Sequence, residues 1–257
     1  MRWQRLLFSI VAICFVIPLA VLAYLSLSAN WYFPALWSHS FTLEHWHWLL
    51  RDGSPLTFSL LLSVGLSLSV SVAATALGFF VSRLLAYHTT STYWLLGAYF
   101  PYVIAPVVFA VMLNVYLLRL GLTGTLGGVM LAQLLITFPY AILFFYGFWN
   151  ERIRNLEHLV RTLGGNFRTV VTQAILPSAR GLIAVCFFQT YLISWFEYGL
   201  TQFIGVGKVP TLTIMVFRYI SEANPHLAAL AGLLLILPPL GLLVVNRRFL
   251  LHKAWSI

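Results

Sequence analysis

Residues 56–82 contain no Asp, Glu, Lys or Arg. A helix rises about 1.5 Å per residue, so a run of this length more than spans the roughly 30 Å hydrocarbon core of a bilayer. A soluble body is excluded by what surrounds it. Of the 257 residues, 61% are hydrophobic and only 8% are charged, where soluble domains carry about 25% charge. Charged residues belong outside, and here there are too few to cover a surface. The expected solvent is a membrane, and the expected fold class is all-α, a polytopic bundle of transmembrane helices.

Six apolar runs are long enough to cross: 6–27, 56–85, 94–118, 127–148, 182–203 and 227–245. The first follows Arg2 and Arg5 and outlasts the roughly 7–15 residues of a secretory signal core. The second is rich in Ser, Gly and Ala, which suits close helix packing rather than lipid contact. Pro101 and Pro106 interrupt the third run, Pro139 lies in the fourth, and Pro238 and Pro239 fall near the end of the sixth. Such breaks are tolerated at membrane depth only against protein or a wet cavity. Between the first two runs, Trp31, Tyr32, Trp37, Trp46 and Trp48 mingle with His39, His45, His47, Glu44 and Arg51. Trp and Tyr favour the headgroup level, so this stretch is expected at the membrane surface, with a short interfacial helix from Thr42 to Leu50. The chain divides into 1–54, a first span with its interfacial segment, and 55–257, a core with one large loop at 150–180.

The formal charge of +9 is too dispersed for a nucleic-acid-binding face. It reads instead as topology. With six spans, one side receives Arg2, Arg5, Arg83, Arg152, Arg154, Arg161, Arg168, Arg180, Arg247, Arg248 and Lys253; the other receives only Arg51, Arg119, Lys208 and Arg218. The positive-inside rule places both termini in the cytoplasm. Cys14 and Cys186 sit in apolar runs without metal-like spacing, and His39, His45 and His47 lack the i, i+4 spacing of a helical two-His site. No metal, cofactor or catalytic constellation is expected.

The cytoplasmic loop carries most of the information. Leu159, Leu163, Phe167, Val170, Val171, Ala174 and Ile175 recur at helical spacing, with Arg161, Arg168 and Thr172 opposite. Gly164-Gly165 interrupts the pattern, Asn166 is placed to cap a second helix, and Pro177 is expected to end it before the fifth span. A helix–Gly–helix hairpin of this kind either rests on headgroups or offers apolar knobs to a groove in a soluble partner.

The stretch His158-Leu159-Val160-Arg161-Thr162-Leu163-Gly164-Gly165, running on to Phe167, Ile175 and Leu176-Pro177, resembles the EAA loop of binding-protein-dependent ABC importer permeases. Gly164 and Leu176-Pro177 fall at the family spacing. His158, Leu159 and Val160 stand where the family has Glu-Ala-Ala, with Glu157 one place early. Leu56-Thr57-Phe58-Ser59, the run from Leu120 to Gly127, Phe138-Pro139-Tyr140 and Ser194-Trp195-Phe196-Glu197-Tyr198-Gly199 are also similar to the family, in family order over roughly residues 55–245. The resemblance implies a type I (MetI-like) permease. It further implies a cytoplasmic ATPase docked on the loop as a coupling helix, a second permease subunit of the same or a different chain, a periplasmic substrate-binding protein, and a bacterial inner membrane. The chain has no G-x-x-x-x-G-K-[ST] loop, in keeping with an ATPase on another subunit.

Glu197 is the one acid within a predicted span, and intramembrane ionisable groups point to function by default. Flanked by Trp195 and Tyr198, it is the first candidate for the substrate path; Asn114, Tyr140 and Gln189 are weaker ones, since such residues more often make an interhelical hydrogen bond. Within the family the pattern is nearest the branch importing polyamines, iron, thiamine or related small polar solutes. The competing classes are an ATPase-independent channel or secondary transporter, and a membrane-embedded enzyme, for which clustered Asp, Glu or His is missing.

Overall fold

Ser59, Ser63, Ser67, Ser71 and Thr75 recur at every fourth position, and all five are buried. That spacing lays small hydroxyl side chains along one stripe of a helix. The computed structural model, which describes residues 2–29, 31, 40–51, 53–88 and 93–251, builds a single long helix there, α3 (Pro55–His88). The hydroxyls bond within the helix or across it. Ser59 and Ser71 donate to the carbonyls of Pro55 and Leu68, at 2.8 and 3.0 Å. Ser63 accepts the Leu212 N–H at 2.7 Å, and Thr75 meets Thr190 at 3.2 Å.

The described chain is helical, with one isolated bridge between Ser28 and Phe41. In order come α1 (Arg2–Leu27), α2 (Glu44–Leu50), α3, α4 (Tyr93–Val103), α5 (Pro106–Arg119), α6 (Leu126–Tyr146), α7 (Glu151–Thr162), α8 (Phe167–Thr169), a π-helical turn (Val170–Ile175), α9 (Leu176–Trp195), α10 (Gly199–Gly205), α11 (Leu212–Ser221) and α12 (Pro225–Leu251). Among the described residues four helical stretches are long and apolar enough to cross a membrane: α3, α6, Phe167–Trp195 and the Pro225–Leu243 part of α12. A fifth is added if the sharply bent pair α4–α5 counts as one span. That bend is where the sequence places Pro101 and Pro106. Proline 106 opens α5 at its first turn, where its missing N–H leaves no helix bond unmade.

Two expected boundaries move. The fifth run does not stay helical to 203: α9 stops at Trp195, and the chain turns at Phe196 and restarts as the short α10. Pro177 does not end a helix either. It sits in the first turn of α9, immediately after the π-helical turn, and Phe167–Trp195 continues as one span-length stretch. A wide π turn gives the proline ring the room it lacks inside a regular helix. Ser178 one residue on donates to the Ala174 carbonyl at 2.7 Å. Tyr32, Trp37, His39 and Lys253 lie outside the described residues, as do the side chains of Arg2, Arg5, Arg247 and Arg248.

The chain forms two compact units. One comprises Met1–Ser63 with Pro210–Leu240. In it His226 Nδ1 lies 2.9 Å from Ser28 Oγ and 3.1 Å from the Leu25 carbonyl, and the ring of His45 stacks on it with centroids 5.2 Å apart. The short helix expected there is α2, with Leu43 at its N-cap and Leu50 at its last position exposed and Leu49 buried.

The other unit comprises Val64–Val209 and Gly241–Ile257. Its core joins Phe79 of α3, Ala141 and Phe145 of α6, Trp149, Ile153 of α7, Val170 and Ile175 of the π turn, and Ala179 and Cys186 of α9. Close approach of α3 and α6 rests on glycine: a Cβ on Gly78 would lie 2.4 Å from the Cβ of Ala141. Thus the base of the 150–180 hairpin is built into the core of this unit.

Candidate functional site: an anchored hairpin with an exposed tip

Asn150 opens the hairpin. Its side-chain oxygen accepts the Ile153 N–H at 3.2 Å and caps α7. The other end closes through paired backbone bonds, Gly165 N–H to the Val160 carbonyl at 2.9 Å and Gly164 N–H to the Arg161 carbonyl at 3.0 Å. This is the Schellman pattern, which needs a left-handed residue just past the helix. Gly164 supplies it at φ +85°. Gly165 is required for a different reason. A Cβ there would meet Val160 Cγ1 and the Val160 carbonyl oxygen at 2.7 Å each. Asn166 then caps α8, accepting from the Thr169 N–H and hydroxyl at 2.9 Å each.

The apolar periodicity read along this segment serves two purposes. Val170, Ala174 and Ile175 are buried in the core. Leu159, Leu163 and Phe167 are 57%, 80% and 55% exposed, clustered around the Gly-Gly turn. His158, Arg161, Arg168, Leu176 and Pro177 are also exposed, and Val160 is half-buried against Gly165. The tip therefore presents three large apolar side chains among cations, while the stem is fixed.

What fixes it is an ion pair between α3 and α7. Arg83 Nε donates to Glu157 Oε1 at 3.0 Å, and Nη2 to Oε2 at 2.5 Å. Both side chains are largely withdrawn from solvent. The guanidinium also lies 5.3 Å from the ring centre of Tyr87 and 5.7 Å from that of Phe167. One arginine thereby holds both arms of the hairpin. Beside it, Trp149 Nε1 donates to Ser82 at 2.8 Å. In the sequence, Arg83 reads as a topology charge and Glu157 as a displaced member of the triplet. A signal was present: Arg83 is the one Asp, Glu, Lys or Arg between 53 and 118, and an isolated charge in an apolar run needs a partner.

The candidate path residues fall into separate places. Tyr140 of α6 donates its hydroxyl to Gln189 of α9, an interhelical bond. Asn114 of α5 accepts the Thr123 hydroxyl at 2.9 Å. Trp195 is buried and stacks on Tyr191, centroids 5.6 Å apart. Glu197 lies in the turn after α9, with Tyr198 half-buried beside it. Its carboxylate accepts the Leu200 N–H at 2.8 Å, the Thr201 N–H at 3.0 Å and the Thr201 hydroxyl at 3.0 Å. These are orphan donors at the start of α10, where negative charge is favoured. The network continues inward: Gln133 donates to Thr201 at 3.0 Å and accepts from Ser194 at 2.6 Å. Arg218 is paired with Glu222 at 2.9 Å.

No protein-family model matches this chain, and no curated protein does.

Proposed function

We propose that this chain is the membrane-spanning subunit of an ATP-driven importer of the binding-protein-dependent ABC class. Six crossings follow when α1 and the bent pair α4–α5 each count as a span, in a type I permease arrangement. On this reading the protein lies in a bacterial inner membrane with both termini in the cytoplasm. It associates with a second permease subunit, a cytoplasmic ATPase and a periplasmic binding protein, and passes a small polar solute such as a polyamine, thiamine or ferric iron.

The observation that carries the reading is the hairpin. Leu159, Leu163 and Phe167 stand exposed at its tip, while Val170 and Ile175 and the Arg83–Glu157 pair hold its stem. A lever that transmits force needs a rigid stem and a tip that fits another body. Apolar knobs at helical spacing suit a groove in a partner. Lipid alone would not require the stem to be tied to α3 through a buried charge pair, which costs desolvation on both sides.

The test is co-purification of the tagged full chain from its native membranes, with the bound proteins assayed for ATP hydrolysis. Wild type is expected to retain the ATPase. Leu163→Glu is expected to lose it while inserting normally and keeping its melting temperature, because its side chain is 80% exposed and its part in the helix end is made through its backbone N–H. ATPase retained by Leu163→Glu, or uptake that proceeds without ATP as in a channel or secondary transporter, overturns the proposal.

A further inference from the structure

Between α3 and α9 a groove of about 660 Å³ opens on the outside of the helical unit. Val72, Ala76 and Phe80 line it from α3, and Ile183, Ala184 and Phe187 from α9. Ala76 and Ala184 leave the space that larger side chains would fill. Arg180 belongs to the same lining and is exposed. It makes no ion pair or hydrogen bond among the described residues. The carboxylates of its unit are committed or distant in role: Glu157 to Arg83, Glu197 to the α10 amides, and Glu151 in the first turn of α7.

We propose that this groove binds an anionic phospholipid, with an acyl chain along the apolar lining and the headgroup phosphate on Arg180. An arginine keeps its charge, and its planar donors fit a phosphate in two-point fashion. Arg180 sits in the second turn of α9, one turn on from Leu176, which lines the hairpin end of the groove, and its long side chain has the reach to carry the charge toward that end. On the cytoplasmic side, where the function proposed above places the hairpin, cationic pockets between membrane helices suit anionic headgroups. A helix of a second subunit would match the apolar lining and leave the guanidinium without a counter-charge. The inference rests on that membrane reading. The groove needs no ATPase, so the two fail separately.

The purified full chain, in detergent micelles supplemented with equal amounts of phosphatidylglycerol and phosphatidylcholine of matched acyl chains, is examined by native mass spectrometry. Wild type is expected to retain phosphatidylglycerol several-fold over phosphatidylcholine. Arg180→Gln is expected to abolish that preference, Arg180→Lys to keep part of it, and Ala184→Trp to lower retention of both lipids. Equal retention by wild type, or an unchanged preference in Arg180→Gln, overturns the proposal. So does an Ala184→Trp variant that loses a dimer while holding both lipids as before, since the groove would then be an interface between copies. Extraction of the chain from membranes by alkaline carbonate would instead defeat the membrane reading itself.

Discussion

Arg83 and Glu157 meet through two parallel hydrogen bonds, Nε to Oε1 at 3.0 Å and Nη2 to Oε2 at 2.5 Å, with side chains only 15% and 6% exposed. Removing one partner of a buried pair leaves an uncompensated charge and costs about 3–5 kcal/mol, whereas replacing both by apolar groups is often neutral. Glu157→Gln and Arg83→Met are each expected to lower the melting temperature in detergent clearly. The double variant Arg83→Met/Glu157→Leu should recover most of the loss. On the function proposed above it should still weaken ATPase retention, because Phe167 loses the guanidinium that lies over its ring. A double variant as unstable as the worse single one would mean that the pair has a structural role beyond charge neutralisation.

The two glycines of the turn are expected to differ in kind. Gly164→Ala puts a Cβ into the left-handed region with open space around it, a strain of about 1–2 kcal/mol. Gly165→Ala drives a Cβ to 2.7 Å from both a side-chain and a backbone atom of Val160, and overpacking of this kind costs about 1–3 kcal/mol. The second substitution has a specific remedy. Val160→Ala removes the Cγ1 contact and should restore part of the stability of Gly165→Ala but none of that of Gly164→Ala. Melting curves of the five proteins decide it, and equal rescue of both glycine variants would contradict the distinction.

Close packing of α3 on α6 makes a third prediction. Gly78→Ala forces two β-carbons to within 2.4 Å, so a loss of about 1–3 kcal/mol is expected. Ala141→Gly deletes the opposing atom and should suppress it. A Gly78→Ala protein that melts like wild type would show that the helices separate freely there.

The helices were legible because apolar runs without charge leave few alternatives: α3 and α6 begin and end within three residues of the runs at 56–85 and 127–148. The Asn166 cap and the left-handed Gly164 were legible too, since each is a local consequence of residue type. What periodicity does not encode is which neighbour a helical face meets. Leu163 and Val170 belong to the same apolar series, yet one is 80% exposed and the other fully buried, because only Val170 reaches Phe79 and Phe145 in the core. Pro177 was misleading for a related reason: a proline stops a regular helix, but not one that widens into a π turn just before it. Pairing across long separations, Arg83 with Glu157 or Gln133 with Thr201, depends on tertiary placement and left no periodic trace.

Glu197 is expected to behave as an anchor of α10. Its carboxylate receives two backbone amides and the Thr201 hydroxyl, and Gln133, itself buried, passes the network on to Ser194. Glu197→Gln replaces one accepting oxygen by a donating amide that faces donors. Hydrogen bonds to a charged group contribute about 1.5–3 kcal/mol each way of counting their loss, so a clear drop in melting temperature follows. Gln133→Leu strands the Ser194 hydroxyl and takes away the donor to Thr201, which keeps only its bond to Glu197, and should also destabilise. Because both substitutions break one connected network, the double variant should lose less than the sum of the singles. Strict additivity would show that Glu197 and Gln133 act independently. A Glu197→Gln protein with wild-type melting and abolished uptake would return the carboxylate to the substrate path.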